Sequence, residues 1–264
     1  MAAGIRIVWL GHATVLVELD GVRVLTDPVL RRRVTHLRRL APPVAEPLDG
    51  VDAVVVSHVH FDHLDLASLE LLDPDVRVVV PRGAGSLLTR RGLVDVVEVD
   101  EGDEIAVRDV RVRATHADHD ATRGPLGVRA ASLGYVLEGT GSVYFAGDTG
   151  PFDGMASLAP ALDVALLPVA GWGSRLPPGH LDPVAAADTL VLLRPRVAIP
   201  IHWATFAPLY RRTTHDPDAG HAFAARAHAV APEVDVRVLR VGESSTVELA
   251  GAAGRVPAAG AREP

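Results

Sequence analysis

The chain has 264 residues, a formal net charge of −7, 48 % hydrophobic residues and no cysteine. That length allows one large domain or two small ones around a substantial core. The net charge argues against a nucleic-acid coat, and without cysteine there are no disulfides and any metal must take histidine and carboxylate ligands.

The N-terminal stretch "MAAGIRIVWLGHATVLVELDG" alternates like a strand and is interrupted by Arg6 and His12. No secretory leader or lipid anchor is expected there. No run approaches the ~20 apolar residues of a membrane span. A cytoplasmic protein without integral membrane association is the expectation. "IRIVWL", "TVLVELD" and "VRVLTDP" have strand length, with Asp20-Gly21 as a hairpin turn between the last two. Residues 31–50, charged and proline-rich, predict a loop. "VDAVVVS" is a β-branched run of the kind buried on both faces.

After it, "LDLASLELL" has leucines at helical spacing, and Asp65 near its start would favour the positive end of that helix. "VRVVV" predicts a buried strand, "GAGSLLTRRG" a short helix ended by Gly92, and the segment from Val94 to Asp118 two or three strands. The second half repeats this grammar. "SLGYVLEG" and "SVYFAGD" predict a hairpin around Thr140-Gly141. "DVALLPV" and "RVAIPIHW" predict buried strands with the helix "PVAAADTLVLLR" between them, and "AGHAFAARAHAVA" a last helix before "VDVRVLRV". The pattern suits two facing β-sheets with helices outside. A single doubly wound sheet is the other option, but no G-x-G-x-x-G turn follows the first strand.

The densest chemistry is "VVVSHVHFDHLD", Val54 to Asp65. Residues two apart in extended chain project to one side, so His58 and His60 can reach one cation together. A turn after them lets Asp62 and His63 address a second position. Imidazole and carboxylate suit Zn²⁺, Mn²⁺ and Fe. Two cations about 3.5–4 Å apart can share a hydroxide and clamp both the attacking and the leaving oxygen. One histidine after a strand would read as a solvated loop residue; this many polar groups at a core edge need a common partner.

With this H-x-H-x-D-H motif, "TDP" at 26–28, "FAGDTG" at 145–150 and "IPIHW" at 199–203, the chain resembles the metallo-β-lactamase superfamily. "WLGHATVLVELDGVRVLTDPVL", "GHLDP" and "PIHW" are most similar to a branch holding ascorbate-6-phosphate lactonase-like proteins and N-acylphosphatidylethanolamine-hydrolysing phospholipase D. The resemblance implies an α/β fold, a four-layer αββα sandwich. Residues 1–250 would form one domain of two similar halves, about 1–125 and 126–250, and 251–264 reads as a flexible tail. It also implies two divalent ions, zinc first and manganese or iron otherwise. His58, His60 and His119 would hold one, Asp62, His63 and His202 the other, with Asp148 bridging and Asp27 in support. His116 competes with His119 for its place.

The implied activity is a metal-dependent hydrolase that uses a hydroxide bound by both metals on a small phosphodiester, phosphorylated lactone or ester. Asp62 or Asp148 would orient the hydroxide or pass a proton. His180, in "PPGHLDP", would touch substrate or donate a proton, unless this loop only serves helix entry with Asp182 as N-cap and Pro183 first in the helix. His12 would lie at the site floor in support or be a satisfied core histidine. Arg123 is the candidate for gripping an anionic substrate. Arg31, Arg32, Arg33, Arg38 and Arg39 form either a phosphate-binding loop or a solvated face. Trp172, Trp203, Phe206 and Tyr210 line a pocket or belong to the core.

The expected partner is a small, anionic molecule. No sustained basic stripe supports a nucleic-acid substrate, and a homo-oligomer is left open. Two alternatives stand: a non-hydrolytic binding protein on the same fold, and a lipid phosphodiesterase of the phospholipase D type.

Overall fold

The computed structural model describes residues 4–124, 127–159, 161–173, 176–214 and 216–249. The expected tail, 251–264, lies outside them. In chain order the elements of the first half are β1 (Gly4–Gly11), β2 (Thr14–Leu19), β3 (Val22–Thr26), β4 (Arg33–Val34), β5 (Leu37–Arg39), β6 (Ala53–Val55), α1 (Leu66–Leu69), β7 (Arg77–Pro81), α2 (Gly85–Thr89), β8 (Val96–Val99), β9 (Glu104–Val107) and β10 (Val110–His116). There follow β11 (Ala121–Thr122), β12 (Arg129–Ala130), β13 (Leu133–Glu138), β14 (Ser142–Phe145), β15 (Val164–Pro168), α3 (Pro183–Leu193), β16 (Val197–Ile201), β17 (Phe206–Pro208), α4 (Ala219–Val230), β18 (Asp235–Val236) and β19 (Ser244–Glu248).

Two seven-stranded sheets result, one in the order β19-β1-β2-β3-β6-β7-β8 and the other β18-β16-β15-β14-β13-β10-β9. Strand alternation decides which side each residue faces. In β1, Ile5, Ile7 and Trp9 join the large core shared with Val112, Ala114 and Tyr135 of the second sheet. Val8 and Leu10 point the other way, into a core with Leu69 and Leu88 of α1 and α2. On the far side, Leu190 of α3 and Phe223 of α4 pack on β15 and β16. The architecture is the expected four-layer αββα sandwich. The β2–β3 hairpin turns on Asp20 and Gly21, both at positive φ (53° and 76°), as a two-residue turn between twisted strands requires.

Three local readings change. The 31–50 segment is not all loop, because β5 pairs with both β4 and the distant β17 in a small three-stranded sheet. That pairing joins residues far apart in sequence and leaves no local periodic signal. The helix at 66–69 is a single turn, and the Asp65 carboxylate makes no cap bond to it. Asp65 instead accepts from Arg31 Nε at 2.8 Å and Nη2 at 2.6 Å, and from Ser68 Oγ. Finally, β19 joins the open edge of β1, a strand hidden in the sequence because only Val247 of its five residues is buried.

α3 begins as its sequence suggests, with the Asp182 side chain accepting from the Ala185 backbone N–H at 2.8 Å and Pro183 at the first helical position. Asp182→Ala should destabilise the protein by about 1 kcal/mol in urea unfolding, while Asp182→Asn or Asp182→Ser should cost little.

Candidate metal centre

Strand direction brings the polar residues to one edge. β3 and β6 run parallel, as do β14, β15 and β16, and their C-terminal ends open at the same seam between the sheets. Asp27 follows β3, His58 follows β6, Asp148 follows β14 and His202 follows β16. Beyond β10, His119 swings back to the same place. Close approach of the sheets depends on Gly147, where φ is +62° and a Cβ would lie 2.5 Å from the Cβ of Ser57. No other residue suits that position.

The histidine nitrogens converge in two groups. His58 Nε2 lies 2.9 Å from His60 Nδ1, and His119 Nε2 lies 3.3 Å from the same atom. His63 Nε2 is 3.1 Å from His202 Nε2, and Asp62 Oδ2 is 3.1 Å from His12 Nε2. Asp148 sits between the groups: Oδ2 is 3.2 Å from His63 Nε2 and 4.0 Å from His58 Nε2, while Oδ1 is 3.3 Å from His202 Nε2. One ligand atom each from His58, His60 and His119, and likewise from His12, Asp62, His63 and His202, falls within 4.8 Å of the others in its set.

The outer nitrogens are anchored. His119 Nδ1 donates to Gly179 O at 2.9 Å, and His202 Nδ1 donates to Ala170 O at 2.7 Å. His63 Nδ1 meets Asp27 Oδ2 at 2.7 Å, and Asp27 Oδ1 accepts from the Ser57 N–H at 2.6 Å. Ser57 Oγ donates to Asp27, so His58 Nδ1, 2.9 Å away, donates to that hydroxyl. On His58, His119 and His202 such a bond fixes the tautomer and leaves Nε2 with a lone pair facing inward, the arrangement by which outer partners orient metal-binding imidazoles.

The charges are strained. Burial, with His63 beside it, drives the His58 pKa well below its ordinary value, and burial pushes His202 down to about 3. His60 and His119 are lowered mainly by burial too. Burial would also lower His63, but the Asp148 charge and hydrogen bonds to Asp148 and Asp27 hold it well above the usual value. Burial alone would raise both carboxyls. His202 and His63 instead hold Asp148 low, and the His12 hydrogen bond with the nearby His63 holds Asp62 low. Despite its neighbours, Asp148 Oδ1 finds no hydrogen-bond partner among the described residues. A buried carboxylate oxygen without a bond, ringed by inward lone pairs, fits divalent cations: the donor set is one that zinc accepts.

Above this floor opens a cleft of about 370 Å³. Leu37, Phe61, Trp172, Leu176 and Pro177 form apolar walls, and His60, Asp62, Asp148, His180 and His202 reach it from below. His180 Nε2 lies 3.5 Å from Asp148 Oδ2, and its Nδ1 donates to Pro177 O at 3.1 Å. Burial lowers its pKa, but the bond to Asp148 outweighs that and leaves it raised.

Several expected site residues lie elsewhere. His116 is the exposed last residue of β10, its ring meeting Glu101 and Phe152, and it does not line the cleft. Arg123 does not reach the cleft: its Nη1 donates to Val59 O at 2.9 Å and Leu64 O at 2.8 Å, and the guanidinium stacks on Phe61 at 4.3 Å. It clamps the H-x-H-x-D-H loop rather than a substrate. In the arginine-rich loop, Arg31 pairs with Asp65 and Arg39 bonds to Leu10 O, Val29 O and Pro42 O, while Arg32 and Arg33 are exposed. Trp203 stacks on Trp9 at 5.5 Å in the core, Phe206 is buried, Trp172 lines the cleft, and Tyr210 is exposed. Ser57 and Thr205 have no sequence signal of their own. Ser57 inside H-x-H-x-D-H context was readable only as the residue before the first histidine.

The beta-lactamase superfamily domain model matches residues 22–203. A metal-dependent hydrolase of the UPF0173 group from Methanopyrus kandleri is 35 % identical over 247 residues, covering 90 % of this chain and 98 % of that protein. N-acyl-phosphatidylethanolamine-hydrolyzing phospholipase D 1 of Caenorhabditis elegans is 31 % identical, over 77 % of this chain and 65 % of that protein. The structure of Igni18, a metallo hydrolase from Ignicoccus hospitalis, superposes with a TM-score of 0.71 at 23 % identity, covering 94 % of this chain and all of that one.

Because Asp148 and Asp27 hold the His63 pKa above its ordinary value, a cation taking His63 Nε2 would compete with a proton there. Metal affinity should therefore fall as pH falls, by roughly tenfold per unit for one displaced proton. Calorimetric titration with Zn²⁺ in buffers of different ionisation enthalpy should show proton release at pH 7; a buffer-independent heat would contradict it.

Proposed function

Because the chain belongs to the beta-lactamase superfamily and is a metal-dependent hydrolase, we propose that it binds two divalent cations, zinc first, and hydrolyses a small ester, lactone or phosphodiester at the floor of the cleft. The observation that carries this reading is the orphaned Asp148 Oδ1 among histidine nitrogens supplied by both sheets. His58, His60 and His119 would hold one ion, Asp62, His63 and His202 the other, and Asp148 would serve both. Once bound, the ions would lower the pKa of a water toward neutrality and polarise the scissile group.

The chain's own residues do the rest. Gly179 O, Ala170 O, Asp27 and Ser57 hold the histidine rings so that they need not reorganise during turnover. Asp62 and Asp148 stay ionised and accept hydrogen bonds. His180 keeps a proton at Nε2, facing both the cleft and Asp148 Oδ2, and can hand it to the leaving oxygen. The walls exclude water and select by shape: an apolar flank of the substrate would rest on Leu37, Phe61, Trp172 and Leu176. With Arg123 committed to the loop, an anionic substrate would be met by the cations and not by that guanidinium.

A lipid phosphodiester is a second reading. Its support is the exposure of Phe61 (41 %), Trp172 (39 %) and Leu209 (40 %) together with the likeness to the nematode phospholipase; Phe61 and Trp172 flank the cleft, and the Leu209 N–H bonds to the His36 carbonyl beside it.

Metal analysis of purified protein should give about two equivalents; none above background would sink the proposal. His58→Ala and Asp148→Ala should reduce hydrolysis to background, whereas His116→Ala should not. A panel of esters, lactones and phosphodiesters with short and long apolar groups, run on zinc-, manganese- and iron-loaded protein, separates the two readings. Turnover confined to long-chain phosphodiesters would select the second.

A further inference from the structure

His12 is held more firmly than a core histidine needs. Its backbone N–H donates to Thr205 Oγ1 at 2.7 Å, and its carbonyl accepts from Trp9 Nε1 at 2.9 Å and from the His202 N–H at 2.8 Å. The residue sits at φ 56°, a left-handed conformation uncommon for a side chain of this size. The ring lies against His202, centroids 3.9 Å apart, and edge-on to Phe206 at 5.3 Å. It is only 3 % exposed. All of this aims Nε2 at Asp62 Oδ2, 3.1 Å away. An ionised carboxylate only accepts hydrogen bonds, so His12 Nε2 must carry the proton.

We propose that His12 is a positioning residue for the second cation: its Nε2–H holds one oxygen of Asp62 and turns the carboxylate toward His63 and His202. The inference rests on Asp62 being a metal ligand, as read above. Strain at φ 56° is retained because the backbone bonds that impose it place the ring. The same bonds tie the chain after β1 to the chain after β16, so the donor that orients Asp62 and the ring of His202 move as one unit. The competing role, His12 as a ligand itself, makes a different prediction, because it needs the ring nitrogen lone pair and not its proton.

The test uses variants that separate the donor from the shape. His12→Gln places an amide N–H near the position of Nε2, His12→Met has the same length without a donor, and His12→Phe keeps the ring without one. Zinc binding is followed by competition with a chromogenic chelator and by metal analysis, alongside thermal unfolding of the metal-free proteins. Wild type and His12→Gln should each bind two equivalents. His12→Met and His12→Phe should keep the first and bind the second about 10–100-fold more weakly. In an Asp62→Ala background, His12→Met should cause no further loss.

Equal second-site affinity in His12→Met and His12→Gln would overturn the proposal. So would loss of the second ion, or of folding, in His12→Gln, because the ring rather than the donor would then be what matters. Wild-type protein that binds no zinc would instead remove the metal reading itself.

Discussion

A carboxylate buried between three imidazoles, with one oxygen left unbonded, is the constraint on which this molecule turns. Taking an ion out of water costs several kcal/mol unless its partners repay that cost. Asp148 has His63, His180 and His202 around it, yet Oδ1 makes no hydrogen bond. His63 and His202 are also buried, and burial alone resists charging them. Within the cluster the raised pKa of His63 between Asp27 and Asp148 eases the conflict, and cations at the same point would satisfy the carboxylates and the inward lone pairs together.

Such a cluster has to be held open against the pull of its own charges, and the two sheets do this by bonding to each other at the site end. The Leu133 N–H donates to Ser57 O, and Tyr135 Oη donates to Val56 O at 2.9 Å, so β13 is stitched to the chain that delivers His58. Across the seam, the His202 N–H donates to His12 O. Gly147 lets the backbone carrying Asp148 pass against Ser57. Ser57 thus bears on three things at once: the carboxylate of Asp27, the Nδ1 of His58 and the approach of the second sheet. Side chains delivered from strand ends braced in this way would lose little freedom if a cation bound.

Much of this was legible in the sequence because it is local. Val54 to Val56 run into His58, Val143 to Phe145 lead to Asp148, and Val197 to Ile201 lead to His202; each is an apolar run ended by a polar residue, and a parallel arrangement puts those ends together. The αββα layering follows from the same alternation. What escaped was non-local. β5 finds a partner at Phe206–Pro208, more than 160 residues on, so the 31–50 segment carries no periodicity to betray it. β19 is an edge strand with one buried side chain. The choice between His116 and His119 could not come from alternation: His116 shares the phase of the buried Val112 and Ala114 and is nonetheless exposed where the strand ends.

The arginines show why charge pattern misleads where residue role does not. Arg31, Arg39 and Arg123 crowd the site in sequence and look like a grip for phosphate. In the fold each is spent on the protein itself. Arg31 holds the Asp65 carboxylate at the start of α1, and Arg39, whose pKa burial lowers to about 10, satisfies carbonyls beneath the small sheet. Arg123 caps two carbonyls that bracket the ligand loop, Val59 O and Leu64 O, and burial lowers its pKa as well. A carbonyl at a loop edge, out of reach of any strand, must be bonded or remain unsatisfied. Arg123 Nη1 alone meets both carbonyls, which flank the tight turn at His60 to His63 that presents Asp62 and His63. The motif and its arginine are one device, and in the proposed function substrate recognition would fall to the apolar walls and to the bound ions.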